Sequence, residues 1–189
     1  MGFKGDNQIF ADLKALSDGF ISAMNYTGWL ATQGYQPEQM GLRSRVIRFS
    51  TVYVRRVGFQ GREYLPPSTP DSGSMAVSAM IRREKFREER SVQFDFFKKR
   101  LPTDGVDTVS AGDVARTFAA YIESEGGAAV LHSMGYGRLQ IVNVRNEREI
   151  GDSAKFQLLP GFDLILQYDQ FLDFGQPATE TVESGIYGI

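Results

Sequence analysis

The chain has 189 residues, 42% of them hydrophobic, 12% aromatic and 23% charged, and its formal net charge is −2. This is the composition of a folded globular protein of one ordinary domain, and it excludes a disordered or fibrous chain. Cysteine is absent, which excludes a disulfide framework, a thiolate zinc site and a thiol nucleophile.

No apolar run approaches the roughly 18 residues of a membrane span. The opening MGFKGDNQIF lacks the apolar core of a signal peptide, and Asp6 and Asn7 stand where a myristoylation signal carries Ser or Thr. A soluble chain, intracellular when made, is therefore expected.

Residues 8–24 place Ile9, Phe10, Leu13, Leu16, Phe20, Ile21 and Met24 at the 3–4 spacing of a buried helical stripe, with Asn7 or Asp6 as the N-cap. After Gly28, the polar stretch 31–45 reads as a long loop. Residues 46–57, VIRFSTVYVRRV, read as a strand. Val46, Arg48, Ser50, Val52 and Val54 share one face, and Ile47, Phe49, Thr51, Tyr53 and Arg55 share the other. Both faces are partly apolar, which predicts cover on both sides for part of the length.

The Gly-, Pro- and Ser-rich residues that follow, with Pro66, Pro67, Pro70 and Gly73, argue against a long regular element. An extended loop over about 58–85 is expected, either as a surface excursion or as an arm that orders against a neighbour. Phe59, Tyr64, Leu65 and Met75 favour the arm. Residues 86–98 read as a strand with Val92, Phe94 and Phe96 on its core face.

Ser110 to Asp113 forms a capping box with Asp in place of Glu, ahead of a helix that buries Val114, Phe118, Tyr121 and Ile122. The segment AAVLHSM reads as a short helical turn stopped by Gly135. Residues 138–145 read as a strand, 146–155 as a charged connector, and 161–174 as an alternating strand with Phe162, Leu164, Leu166 and Tyr168 inward. A C-terminal extension over about 175–189 either adds an edge strand or is ordered by a partner. The fold class this order predicts is α+β in a single domain, with a mostly antiparallel β-sheet and helices packed on one face.

The sequence holds little visible chemistry. His132 is the single histidine and has no Ser or Asp arranged around it, so a structural or surface role is expected. Gly135-Tyr136-Gly137 precedes a strand, whereas a nucleotide fingerprint follows one. Glu147, Glu149 and Asp152 lack calcium-loop spacing. No enzyme, metal or cofactor is expected.

Charge is distributed unevenly. Arg43, Arg45, Arg48, Arg55, Arg56 and Arg62 occur with no acid between them, while Asp163, Asp169, Asp173, Glu180 and Glu183 follow the last basic residue, Lys155. These are either two solvated faces or the two sides of a heterologous interface. On the second reading the interface residues are the six Arg, Tyr64, Asp169, Asp173, Glu180 and Glu183. Glu84, Glu88 and Glu89 dilute the second basic segment, so sequence-directed nucleic-acid recognition is not expected.

The second half carries a recurrent pattern: strand SVQFDFF, helix DVARTFAAYI, turn AVLHSMGYGR, strand LQIVNVRNERE and strand FDLILQYDQF. This pattern resembles phage neck and tail terminator proteins, with Val92, Gln93, Phe94, Arg145, Leu164, Leu166 and Tyr168 as the matching residues. The resemblance implies a virion protein that forms a ring, usually six-fold, at the neck. Such a ring ends the tail tube and joins it to the head. Its partners would be further copies of itself, the tail tube protein, a sheath where one is present, head connector or stopper proteins, and DNA passing through the lumen. Another head–tail joining component is the alternative in the same class, and a DNA-binding accessory protein is the alternative outside it.

Overall fold

The first helix, α1 (Asp6–Ala23), forms on the predicted stripe and buries Ile9, Leu13, Leu16 and Phe20. The structure, a computed structural model, describes residues 4–34, 45–65, 81–99, 109–145 and 159–175. Gly5 holds the N-cap position, without a side-chain cap bond, in place of Asn7 or Asp6. Asp6 sits instead in the first turn, where a carboxylate favours the helix dipole, and accepts Arg90 Nη2 at 2.7 Å.

The expected 31–45 loop is corrected at its start. Leu30–Gln33 forms β1, which pairs in parallel with Val46–Phe49 and buries Ala31. Four residues are too few for alternation to show. Residues 35–44 lie outside the described residues.

The expected 58–85 loop is corrected more deeply. β2 (Arg45–Leu65) and β3 (Ile81–Lys98) pair antiparallel along their whole lengths, so residues 58–65 and 81–85 are strand. The glycines that read as loop punctuation lie beside bulges, where the register shifts between Arg56 and Gly58 and between Phe59 and Gly61. Only the proline-rich 66–80 lies outside the described residues.

α2 (Ala111–Glu123) starts at the predicted capping box. Ser110 Oγ accepts the Asp113 amide at 3.1 Å, and the Asp113 carboxylate accepts the Ser110 amide at 3.3 Å. The expected short turn is a full helix, α3 (Glu125–Ser133), capped by Ser124. It packs close to α2 because Gly127 has no side chain: a Cβ there would lie 2.0 Å from the Tyr121 carbonyl oxygen. Gly135 takes φ 89°, ends that helix and turns the chain into β4 (Tyr136–Arg145). β5 (Gly161–Gly175) then pairs with both β3 and β4, giving the sheet order β1-β2-β3-β5-β4.

The fold is thus α+β, with one parallel pair in an otherwise antiparallel sheet. The three helices pack on one face, against Ile47, Phe49, Val92, Phe94, Phe96, Phe162, Leu164 and Leu166. Phe118 of α2 is the hub. Its ring stacks on Phe20 at 4.4 Å and meets Phe94, Phe96 and Phe162 within 6.0 Å. It carries no exposed surface.

A bulge between Thr51 and Tyr53 breaks the alternation read for β2. Past Val52, Tyr53 and Arg55 move to the face away from the helices, where Tyr53 Oη donates to Glu89 and Arg55 pairs with it. Cover on both sides, expected for part of this strand, stops here: Val52 to Gly58 are all exposed.

Removing the hub ring leaves a cavity walled by α1, β3 and β5. Phe118→Ala is expected to cost about 3–5 kcal/mol of stability, read by urea unfolding. A loss under about 1 kcal/mol would mean that the site collapses around the gap, as a loosely packed core does.

Candidate assembly interface

Polarity along the strands decides where the helical cover ends. On the helix-facing side, β3 and β5 run from Phe94 and Phe162 through Val92 and Leu164 to Arg90 and Leu166, then to Glu88 and Tyr168. The first turns of α1 clamp onto this polar step. Buried Arg90 donates to Asp6 and to Tyr168 Oη, and Tyr168 Oη donates to Glu88. Tyr136 Oη donates to Asp12 at 2.9 Å. Gln170 accepts the Lys4 amide at 2.8 Å and donates to the Lys4 carbonyl at 3.0 Å. Burial pushes the Tyr136 and Tyr168 hydroxyls far up, so both stay protonated donors.

Beyond that clamp the three long strands continue as a ribbon. β3 pairs with β2 out to Leu65 and with β5 out to Gly175. Ion pairs join directly opposed residues: Arg62 with Glu84 at 3.0 Å, Arg83 with Asp173 at 2.8 Å and Arg87 with Asp169 at 2.9 Å. Guanidinium groups also lie over rings, Arg56 on Phe86 at 4.1 Å and Arg83 on Phe171 at 4.0 Å. Large apolar side chains stay exposed on the ribbon, namely Val52, Tyr53, Val54, Val57, Tyr64 and Phe174.

The face away from the helices carries a second network, closer to the core. Buried Asp95 accepts Arg48 at 2.6 Å, Gln93 at 2.8 Å and Arg145 at 3.2 Å. Asp163 accepts Arg145 at 2.9 Å and Asn143 at 2.7 Å. Asn143 reaches it from a bulge in β4, at φ 52°. Glu89 takes bonds from Gln167, Arg55 and Tyr53.

The residues expected at an interface therefore fall into three sets. Arg48, Arg55, Arg62, Asp169 and Asp173 each have an opposite charge within the same chain. Arg45 bonds the Thr27 carbonyl, Arg56 stacks on Phe86, and Tyr64 is exposed opposite Arg82. Arg43, Glu180 and Glu183 lie outside the described residues.

The partners of these residues were missed in sequence: Glu84, Glu89, Asp95, Arg83 and Arg87. One signal was available. Arg83 and Arg87 stand four apart, as do Asp169 and Asp173, which is the spacing two antiparallel strands need to form two opposed pairs on one face.

Residues 11–178 match the family model described as E217 gateway protein gp29. The chain belongs to this family. No curated protein matches it. The gateway match supports the phage neck class expected from the strand and helix pattern, at the level of the family, without singling out a tail terminator. It spans both networks and the whole ribbon, begins after Lys4 and Asp6 of the clamp, and stops short of Glu180 and Glu183.

A groove of about 270 Å3 lies between α2, α3 and β4, lined by Ile122, Ala128, Leu139 and Ile141 with His132 at its rim. Nδ1 of the exposed His132 donates to the Tyr136 carbonyl at 2.7 Å. Among the described residues, no helix is long and apolar enough to cross a membrane, and no three acids or histidines are grouped to hold a metal ion.

The Glu89 carboxyl is held below its usual range, first by the Gln167 bond and then by Arg55 and Tyr53, against the opposing effect of burial. A depressed carboxylate stabilises the fold above its unfolded value of about 4.3, and that stability is lost as pH falls through the folded value. Glu89→Gln is expected to lower stability at pH 7 and to flatten the acid limb of the stability–pH curve, followed by urea unfolding from pH 7 to pH 3. An acid limb as steep as that of the parent chain would remove Glu89 from the pH dependence.

Proposed function

We propose that the chain is a structural virion protein that joins the head and tail of a tailed phage. Identical copies form a ring at the neck, six-fold by the resemblance, that closes the top of the tail tube and meets the head connector. Its neighbours are the tube protein, the sheath where there is one, and the connector or stopper proteins. DNA passes through the lumen without being read. The protein acts in the virion after assembly in the host cytoplasm, and it carries out no catalysis.

The observation that carries this reading is the three-stranded ribbon, which projects past its own helices with apolar side chains exposed on strands far longer than the usual five or six residues. A lone chain has no use for such a surface, whereas an assembly buries it. The gateway family supplies the setting. A second reading in the same class, a joining ring between connector and tube that does not itself end the tube, draws on the same ribbon and on the family's gateway name. A DNA-binding role draws less support, because five of the expected basic and acidic residues already neutralise partners within the chain.

Deleting the gene is expected to leave DNA-filled heads and separate tails, counted by negative-stain microscopy. The purified chain is expected to give rings by light scattering. Normal virions without the protein, together with a strict monomer at high concentration, would overturn the proposal.

A further inference from the structure

The two faces of the ribbon differ in charge balance. On the face away from the helices, Arg83, Arg87 and Lys85 are matched one to one by Asp173, Asp169 and Glu63. On the helix side, the row through Arg90 and Glu88 continues outward on β3 as Phe86, Glu84 and Arg82. Arg56, Arg62 and Tyr64 stand beside that row on β2, and Leu172 and Phe174 on β5. Glu88 is taken up by Tyr168 and Arg90 in the clamp. The three arginines are then left with one glutamate. Glu84 meets Arg62 at 3.0 Å and Arg82 at 3.6 Å. Arg82 Nε is buried and has no hydrogen-bond partner among the described residues. Arg56 has the Phe86 ring in place of a carboxylate. Beside this surplus the rings are open, with Tyr64 52% and Phe174 38% exposed.

Guanidinium groups in surplus beside exposed rings fit an acidic segment that also carries apolar side chains. Such a segment departs from this face. β5 ends at Gly175, one residue past Phe174 and level with Leu65 and Ile81. Residues 176–189 lie outside the described residues and read QPATETVESGIYGI, with Glu180, Glu183 and no base. Pro177 opposes a simple prolongation of β5 within the sheet. These 14 residues span up to about 46 Å, twice the roughly 23 Å of ribbon between Gly175 and Tyr168. The spacing of the charges also agrees. Arg82 lies over Phe174 at 4.9 Å and Arg56 over Phe86 at 4.1 Å. Those rings stand four residues apart along the strands, about 13 Å, and an extended chain sets Glu180 and Glu183 about 10 Å apart.

We propose that residues 176–189 fold back over the helix-side face of the ribbon in their own copy, with Glu180 at Arg82 and Glu183 at Arg56. Three residues further on, Ile186 reaches Val54, which is 46% exposed beside Arg90. The segment of another copy has the same chemistry, but the tether at Gly175 holds the copy's own at millimolar effective concentration. Residues 179–189 lie beyond the stretch matched by the gateway family, so the docking belongs to this chain and not to the family pattern. It cancels the surplus charge, and neither face of the ribbon then attracts nucleic acid. It leaves Val52, Tyr53 and Val57 exposed for neighbours, so it holds whether or not a ring forms.

Because cysteine is absent, a pair of introduced thiols reports proximity in the full chain without competing partners. Tyr64→Cys with Val182→Cys sets one thiol on the helix-side face, and Glu63→Cys with Val182→Cys sets it on the other. Oxidation is followed in dilute solution by loss of free thiol and by non-reducing gel, on variants of unchanged melting temperature. The Tyr64 pair is expected to close within the monomer roughly tenfold faster than the Glu63 pair. Adding Glu180→Gln and Glu183→Gln is expected to slow the Tyr64 pair roughly fivefold. Glu180→Arg with Glu183→Arg is expected to slow it further, and Arg56→Glu with Arg82→Glu in the same chain to restore it. Equal rates for the two pairs, or a Tyr64 pair indifferent to these charge changes, would overturn the docking. Cross-links that form only between copies and rise with concentration would give the face to a neighbour's segment and overturn the assignment to the same copy. Equal rates together with binding of a short DNA duplex that Arg56→Glu and Arg82→Glu abolish would give the face to nucleic acid instead.

Discussion

β3 is paired on both sides along almost its whole length, to β2 over residues 81–98 and to β5 over residues 81–95. This double pairing couples two regions with different sources of stability. Near Phe94 the strands lie under α1 and α2, and the aromatic cluster around Phe118 supplies the apolar burial. Beyond Glu88 no helix lies over the ribbon among the described residues, and the strands are held by their ladders and by cross-strand side-chain pairs. An isolated ribbon of this kind is marginal in water. Here it is registered by the covered half, because a strand fixed at one end carries its alignment to the other.

The ion pairs are better understood as setting register than as adding stability. Exposed pairs are individually weak, and burying a carboxylate such as Asp95 costs hydration that its partners must offset. Alternation of inward and outward side chains forbids a slip of one residue, because it would turn the core face outward. A slip of two residues keeps the faces and is not forbidden in that way. It would, however, take Asp169 from Arg87 and Asp173 from Arg83 together, and would part the Arg145 bridge from Asp95 and Asp163. The charges discriminate where the apolar pattern cannot.

Most of the covered half was legible in the sequence, because periodicity reports burial. The α1 stripe, the Ser110 capping box, and the inward Phe and Leu of the last strand all follow from spacing and all form. The ribbon was not legible for the same reason. Strands without a buried face show no alternation, and three bulges in β2 erase what phase remains. Gly58 and Gly61 then look like the start of a loop. The charge split was visible, but its meaning depended on register: Arg55 meets Glu89 only because the extra residue at Val52 turns the strand over.

That same bulge links the fold to assembly. Without it, Tyr53 and Arg55 would stay on the helix side and Val52 would stay in phase with Val46, which is buried. With it, the strand leaves the core carrying exposed valines and tyrosines on an edge that β1 no longer protects. Natural sheets commonly blunt such edges with charge, and the ribbon does carry charge, but largely pairs it off within the chain. Internal neutralisation lowers the repulsion that identical ribbons would otherwise feel on approach. A surface built to remain solitary would keep its charges unpaired and its apolar groups inside. This ribbon does the opposite on both counts, which is the pattern of a surface that a partner buries.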